Sequence, residues 1–268
     1  MREFTFLTKD QVAGDDKLDI MKRSILRCEI TDFAFLLGGY LEREINRKNI
    51  GAWWIKNEGL DNGVLCVAPN GRLADDIGER SVASWHGARV AIPYHLIRSD
   101  NDCIKKNEFG IQEVEYGEYP QSSVNLRLGN ELEKAYSKGL LTETGKKYNI
   151  NYTSYVYYDH AKLNSYPEYK YNGKKYIRCR SENYIDWFLS DHDLCIRGEN
   201  YWIEVEPIVW LVDKKANVAV SKKILFSGVQ FLKGSYYDGC FENTDIKYFL
   251  DEYFAHDIVD EKRLIRKR

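Results

Sequence analysis

The chain has 268 residues, long enough for one large domain or two small ones and for a sizeable core. Its 44% hydrophobic and 30% charged residues are those of a globular protein and exclude fibrous, membrane and small disulfide-scaffold classes. With 39 basic against 41 acidic side chains the net charge is -2, so there is no global basic footprint for nucleic acid.

Met1 to Leu7 carries no apolar signal core, and the apolar window Phe33 to Leu41 is too short to span a bilayer. Cys28, Cys66, Cys103, Cys179, Cys195 and Cys240 are widely spread with no Cys-x-x-Cys pair, and read as reduced, buried thiols. The expectation is a cytoplasmic protein with no membrane contact.

In chain order, Thr8 to Gln11 has capping-box spacing, and Leu18, Met21, Ile25 and Leu26 extend a helical pattern to about Glu29. A second apolar block, Phe33 to Tyr40, stops at Gly38-Gly39. Strands are expected from Trp53. Val64 to Val67 and Leu73-Ala74 flank Asn70-Gly71, a dipeptide suited to a type I′ hairpin. A polar loop, Asp75 to Gly87, leads into a strand over Ala88 to Ile92 that ends at Pro93. Residues 99–112 have the composition of a linker.

Asn130 to Lys138 predicts a helix capped by Asn130 and stopped by Gly139. Lys147 to Arg180 is strand-like and tyrosine-rich, with Asn172-Gly173 as a second hairpin turn. Tyr201 to Asp213 and Val218 to Phe226 predict two more strands. Thr244 caps a helix with Ile246, Phe249, Leu250, Tyr253 and Phe254 on its apolar face. This is an α+β pattern of antiparallel hairpins with a few helices.

Chemistry-bearing residues are sparse. Asp191-His192-Asp193 followed by Cys195 has metal-ligand types but no second cluster, and reads as a polar turn. Asp100-x-Asp102 lacks the glycine and glutamate of a calcium loop, with Lys105 and Ile111 in their places. No nucleophile elbow and no phosphate loop occurs. Cys240 has His256 sixteen residues on and no orienting partner, so a buried structural thiol is expected. No metal and no cofactor is expected. Tyr148, Tyr152, Tyr155, Tyr157, Tyr158, Tyr166, Tyr169, Tyr171 and Tyr176 alternate with lysines. That pattern suits base stacking, a protein-binding face or, most simply, cross-strand pairing. Trp53 and Trp54 read as core anchors, whereas Trp85 and His86 lie in a polar loop where they could meet a ligand.

Tyr116-Gly117-Glu118-Tyr119-Pro120-Gln121, Pro207-Ile208-Val209-Trp210, Ser221-Lys222 and Phe241-Glu242-Asn243-Thr244 form an ordered set. With Trp53-Trp54, Asn70-Gly71 and Arg89-Val90-Ala91-Ile92-Pro93, it resembles an uncharacterised bacterial domain family. That family carries Gly-x-Tyr-Pro-Gln, Pro-Ile-x-Trp, Trp-Glu-Asn-Ser, Trp-Trp and Arg-Pro-Ala motifs, and Phe241 stands where it has tryptophan. The resemblance implies a scaffold distantly like C-type lectins and formylglycine-generating enzymes. It leaves function open, because the lectin calcium signatures and the paired oxidase cysteines are absent.

The motif order is exchanged relative to that family: residues 4–98 resemble its closing half and 113–256 its opening half. The expectation is one circularly permuted domain over 1–268, with 99–112 as the surface connection and Phe4 to Thr8 close to Phe254 to Asp257. The expected function is a non-enzymatic binding module that contacts a protein or other macromolecule, a second copy of the chain included. Arg80, Trp85, His86, Tyr155, Tyr157 and Tyr158 are the expected contact residues. The alternatives are a hydrolase or thiol oxidase using Cys240 or the Asp191-His192-Asp193 turn, and single-stranded nucleic-acid binding by the tyrosine–lysine hairpin.

Overall fold

The longest strand among the described residues, Asn200–Asp213, organises its sheet. The computed structural model describes residues 3–21, 23–42, 49–56, 64–76, 86–97, 105–153, 161–184, 186–191, 193–232 and 238–258. In chain order the elements are α1 (Lys9–Ala13), α2 (Arg23–Leu26), β1 (Cys28–Glu29), α3 (Asp32–Leu36), β2 (Ile50–Gly51), β3 (Trp53–Ile55), β4 (Val64–Val67), β5 (Leu73–Asp76), β6 (Ala91–Pro93) and α4 (Tyr94–Ile97). They continue as β7 (Lys105–Lys106), β8 (Gln112–Ser123), α5 (Leu126–Ser137), β9 (Thr142–Thr153), β10 (Ala161–Tyr171), β11 (Lys174–Arg180), β12 (Asn200–Asp213) and β13 (Val218–Ser221). The C-terminal segment is a 3₁₀ turn (Phe241–Asn243), α6 (Asp245–Phe249), a π turn (Leu250–Phe254) and α7 (Ala255–Ile258). The class is mixed α+β with antiparallel sheets, as the alternating patterns imply.

One edge of β12 pairs with β8 from Ile203 to Val212. The other edge pairs first with β11 over Asn200 to Glu204, then with β13 over Trp210 to Asp213. β10 and β9 extend the sheet beyond β11, and β6 closes its opposite end against β13. Pro93 pairs with Val218 on this outermost strand, where a missing amide donor costs least. β3, β4 and β5 form a separate three-stranded sheet.

The register of β9–β11 sorts its residues onto two faces. Tyr148, Ile150, Tyr166, Ile177, Cys179 and Ile203 enter the main core with Trp53, Trp54 and Trp210. Tyr169, Tyr176 and Trp202 face the opposite way and are covered by Leu132 of α5. Tyr166 pairs directly with Tyr148, and Tyr169 with Tyr176, which is the cross-strand use of tyrosine. These four tyrosines are therefore buried and have no free face for stacking nucleic-acid bases.

The first and last described segments meet. The Phe4 ring lies 5.3 Å from Phe254 in an edge-to-face contact, and Thr5 exchanges two backbone hydrogen bonds with Ala91, at 2.9 and 2.8 Å. Residues of both sequence halves contribute to the main core. Among the described residues no helix is long and apolar enough to cross a membrane.

Several local expectations are corrected. Thr8 and Gln11 do make the capping box, but α1 stops at Ala13 because the chain turns at Gly14, where a Cβ would strike Asp10. Leu26 ends a separate short helix, and Cys28–Glu29 is a strand. α5 is capped by Asn125, whose side chain accepts from the Leu128 amide, so Asn130 lies inside the helix. Residues 105–112, read as part of a linker, turn through Asn107 to Gly110 and pair β7 with β8. β13 ends at Ser221, short of Phe226.

Candidate functional site

α3 is a buried post on which the 181–199 loop hangs. Thr31 caps it by accepting from the Ala34 amide at 3.1 Å, which aims the first turn inward. Asp32 Oδ2 accepts from the Ser123 amide and hydroxyl at 2.7 and 2.8 Å, and from the Ser190 hydroxyl. Its Oδ1 accepts from the Ser190 amide at 2.9 Å. At the other end of α3 the Leu36 carbonyl accepts from the Glu182 amide at 2.8 Å. Asn183 Nδ2 donates to the Phe35 carbonyl at 2.6 Å and to the Gly39 carbonyl at 3.2 Å. The loop is thus tied to the core near both its start and its middle.

Within the loop, the Leu189 amide donates to Asp193 and the Cys195 amide to Trp187, at 2.9 and 2.8 Å. These bonds flank Phe188 and Leu194, which form an antiparallel bridge as a non-hydrogen-bonded pair, the arrangement that brings side chains closest. Asp191 and Asp193 make the turn between them: the Asp193 amide donates to Asp191 Oδ1 at 3.0 Å. The Tyr201 hydroxyl donates to the Leu194 carbonyl at 3.1 Å and accepts from the Ile196 amide at 2.7 Å. Cys195 points inward, its sulfur 3.1 Å from the Ser181 hydroxyl, so Leu194 and Ile196 point outward.

The outer face of this clamped loop is apolar. Tyr184, Phe188, Leu194 and Ile196 are 47%, 52%, 46% and 50% exposed. Trp187 braces it from beneath, donating to Asn49 Oδ1 at 2.7 Å, while Asn49 Nδ2 donates to the Phe188 carbonyl at 3.0 Å. Glu182, Asp186, Asp191, Asp193 and Glu199 lie in the same loop, none of them buried. Burial raises the pKa of Asp191, with the Asp193 and Asp32 carboxylates adding to the rise. The adjacent cation, Arg197, lies 3.6 Å over the Tyr184 ring and donates to its hydroxyl at 2.7 Å.

Of the expected contact residues, Arg80, Trp85, Tyr155, Tyr157 and Tyr158 lie outside the described residues. His86 is half-buried, its ring 4.3 Å from that of Trp54, and burial pushes its pKa down to about 4. It belongs to the wall of the Trp54–Phe231 cluster. The polar-turn reading of 191–193 agrees with the Asp191 and Asp193 geometry, and His192 lies outside the described residues. Cys28, Cys66, Cys179 and Cys195 are buried free thiols, whereas Cys240 is exposed, contrary to expectation. Its exposure follows from its place at the start of a 3₁₀ turn, where Asp238 Oδ1 accepts its amide at 2.8 Å. Among the described residues no three His, Cys, Asp or Glu side chains converge as a metal-ligand group.

Sequence reasoning passed over Phe188, Leu194 and Ile196. The usable signal was their symmetric placement about an acidic turn, which is the pattern of a small hairpin with an apolar face. No family model, no curated protein and no solved structure matches the chain.

Proposed function

We propose that the chain is a non-enzymatic protein-binding module whose contact surface is the 184–196 loop. The carrying observation is the paired Phe188 and Leu194, exposed beside Ile196 on a loop that core hydrogen bonds hold in place. A preorganised apolar face loses little entropy on binding and supplies the desolvated centre that interfaces need. Asp186, Asp191 and Asp193 in the same loop favour a partner segment carrying Lys or Arg around two or three apolar residues. β10 begins at the same end of the sheet as Arg180, where β11 runs into the loop, and Leu163 is also exposed there.

The reading includes a cytoplasmic protein and a single C-type-lectin-like domain with its halves exchanged. Supporting the exchange, β6 of the first half continues the sheet of the second, and Phe4 rests on Phe254. Selection from a displayed random-peptide library against the purified chain tests the binding surface. Enrichment of basic segments with apolar centres is expected. Capture should fall at least about tenfold for Phe188→Ser combined with Leu194→Ser, the loss of about 1.4 kcal/mol or more. Selected peptides without that bias, or equal capture by the double variant, would overturn it.

A further inference from the structure

The C-terminal helix meets the sheet through a carboxyl group. Asp257 of α7 is only 4% exposed. Its Oδ2 accepts from the Asn149 amide of β9 at 2.8 Å, and its Oδ1 from Asn149 Nδ2 at 3.4 Å. One residue on, Ile258 lies against Gly117 of β8, whose φ of +71° leaves its α-carbon bare toward the Ile258 carbonyl. Phe254 anchors the preceding turn against Phe4, Tyr119 and Phe226 at ring distances of 5.3, 5.1 and 5.3 Å.

The charged and titratable groups facing Asp257 are few. From β9 come Lys146, whose ammonium is 4.7 Å from the Tyr148 ring centroid, and the Tyr148 hydroxyl, which donates to Glu168 of β10 at 2.7 Å. From β8 comes the Tyr119 hydroxyl, fully buried and without a hydrogen-bond partner among the described residues. Glu118 of β8 is paired with Lys175 of β11 and acts on Lys146 and Tyr148 of the cluster. On its own segment, Asp251 is committed to Lys247, and His256 is exposed. Lys146 is thus the one cation that acts on Asp257 among these groups, and it is itself partly desolvated.

We propose that Asp257 is a proton-operated clasp that holds α7 against β8 and β9 and loosens it when the carboxyl ionises. A neutral carboxyl keeps an oxygen for the Asn149 amide and carries no desolvation penalty for charge; the ionised form carries that penalty, which the Asn149 donors and Lys146 offset only in part. Burial pushes the Asp257 pKa from 3.8 to about 7, so the transition falls near neutrality. A raised acid pKa means that the clasp's contribution is complete below about pH 4 and is lost as pH rises through about 7. Loosening uncovers Gly117, against which Ile258 now rests.

Amide hydrogen exchange on the full chain, corrected for intrinsic rates, tests the clasp. Between pH 5.5 and 8.5, opening of residues 250–258 should increase by about tenfold or more while the β12 amides stay unchanged. In Asp257→Asn, which keeps the acceptor and cannot ionise, that increase should vanish. Should this variant fold poorly, Lys146→Met should instead shift the wild-type transition to higher pH, because it removes the cation that favours ionisation. A flat response in wild type, an equal response in Asp257→Asn, or a parallel response of β12 would overturn the proposal.

Discussion

Asp32 accepts hydrogen bonds from both the amide and the hydroxyl of Ser190, 158 residues further along the chain. The same carboxylate holds Ser123 at the end of β8, so one buried group joins α3, the sheet and the exposed loop. Asp32→Ala removes the buried acceptor shared by donors on two segments at once. It is expected to lower unfolding free energy by about 3 kcal/mol, read as a shift of the urea midpoint at unchanged slope. Loop amides near Ser190 should also exchange faster, whereas Phe188→Ser should leave stability within about 0.5 kcal/mol because that side chain is already exposed.

Gln121 Nε2 donates to the carbonyls of Glu206 and Pro207, at 3.1 and 2.9 Å, where the β8–β12 register shifts. Both residues lie between two register shifts, and a primary amide with two N–H donors can serve both carbonyls. Gln121→Glu replaces the two donors by a carboxylate facing two acceptors. The expected loss is about 2–3 kcal/mol at pH 7, and Gln121→Ala should lose about half as much, both measured by denaturant unfolding. Equal stability of the two variants would show that the carbonyls find other donors.

The hairpins show where sequence reading worked and where it stopped. Asn172 and Gly173 have φ of +49° and +81°, the pair that a type I′ turn needs, and Tyr171 faces Lys174 as spacing alone dictates. At Asn70-Gly71 the same signal failed because Pro69 precedes it. A proline there cannot supply the amide that would close a two-residue turn, but its φ is preset for the second position of a type I turn. The turn therefore moves back one residue: the Gly71 amide donates to Ala68 at 2.8 Å, and only Gly71 takes a positive φ, of 80°. Tryptophan burial at Trp53 and Trp54 was legible from apolar spacing. The roles of Asp32 and Asp257 were not, since each depends on partners more than 90 residues away.

Gly117 has φ of +71°, and a Cβ built there would lie 3.1 Å from the Ile258 carbonyl. Gly117→Ala combines a left-handed backbone penalty with pressure on α7. A destabilisation of about 1–3 kcal/mol is expected, with faster exchange in residues 250–258 at every pH. By comparison, Gly110→Ala meets open space at φ of +74° and should show the backbone penalty alone. A larger effect at Gly110 than at Gly117 would remove the close approach as the cause.

His86 provides a pH dependence opposite in sign to that of Asp257. Burial against Trp54 lowers its pKa from 6.5 to about 4, so the unfolded chain binds this proton more readily than the folded one. The stability it contributes is therefore complete above pH 6.5 and is lost as pH falls from there through about 4. At pH 5 the loss should reach about 2 kcal/mol, from the free energy of roughly 1.4 kcal/mol per pH interval of unequal proton binding. His86→Phe keeps an aromatic ring beside Trp54 and removes the proton site. Urea midpoints of both proteins from pH 5 to 8 separate this effect from the rest of the titration. Asp257 gains a proton over the same range and strengthens the fold, so the wild-type curve alone can look nearly flat. The difference between the two curves isolates His86. It should widen in favour of the variant by about 2 kcal/mol on going from pH 7 to 5, and a constant difference would mean that His86 is solvated or protonated in the fold.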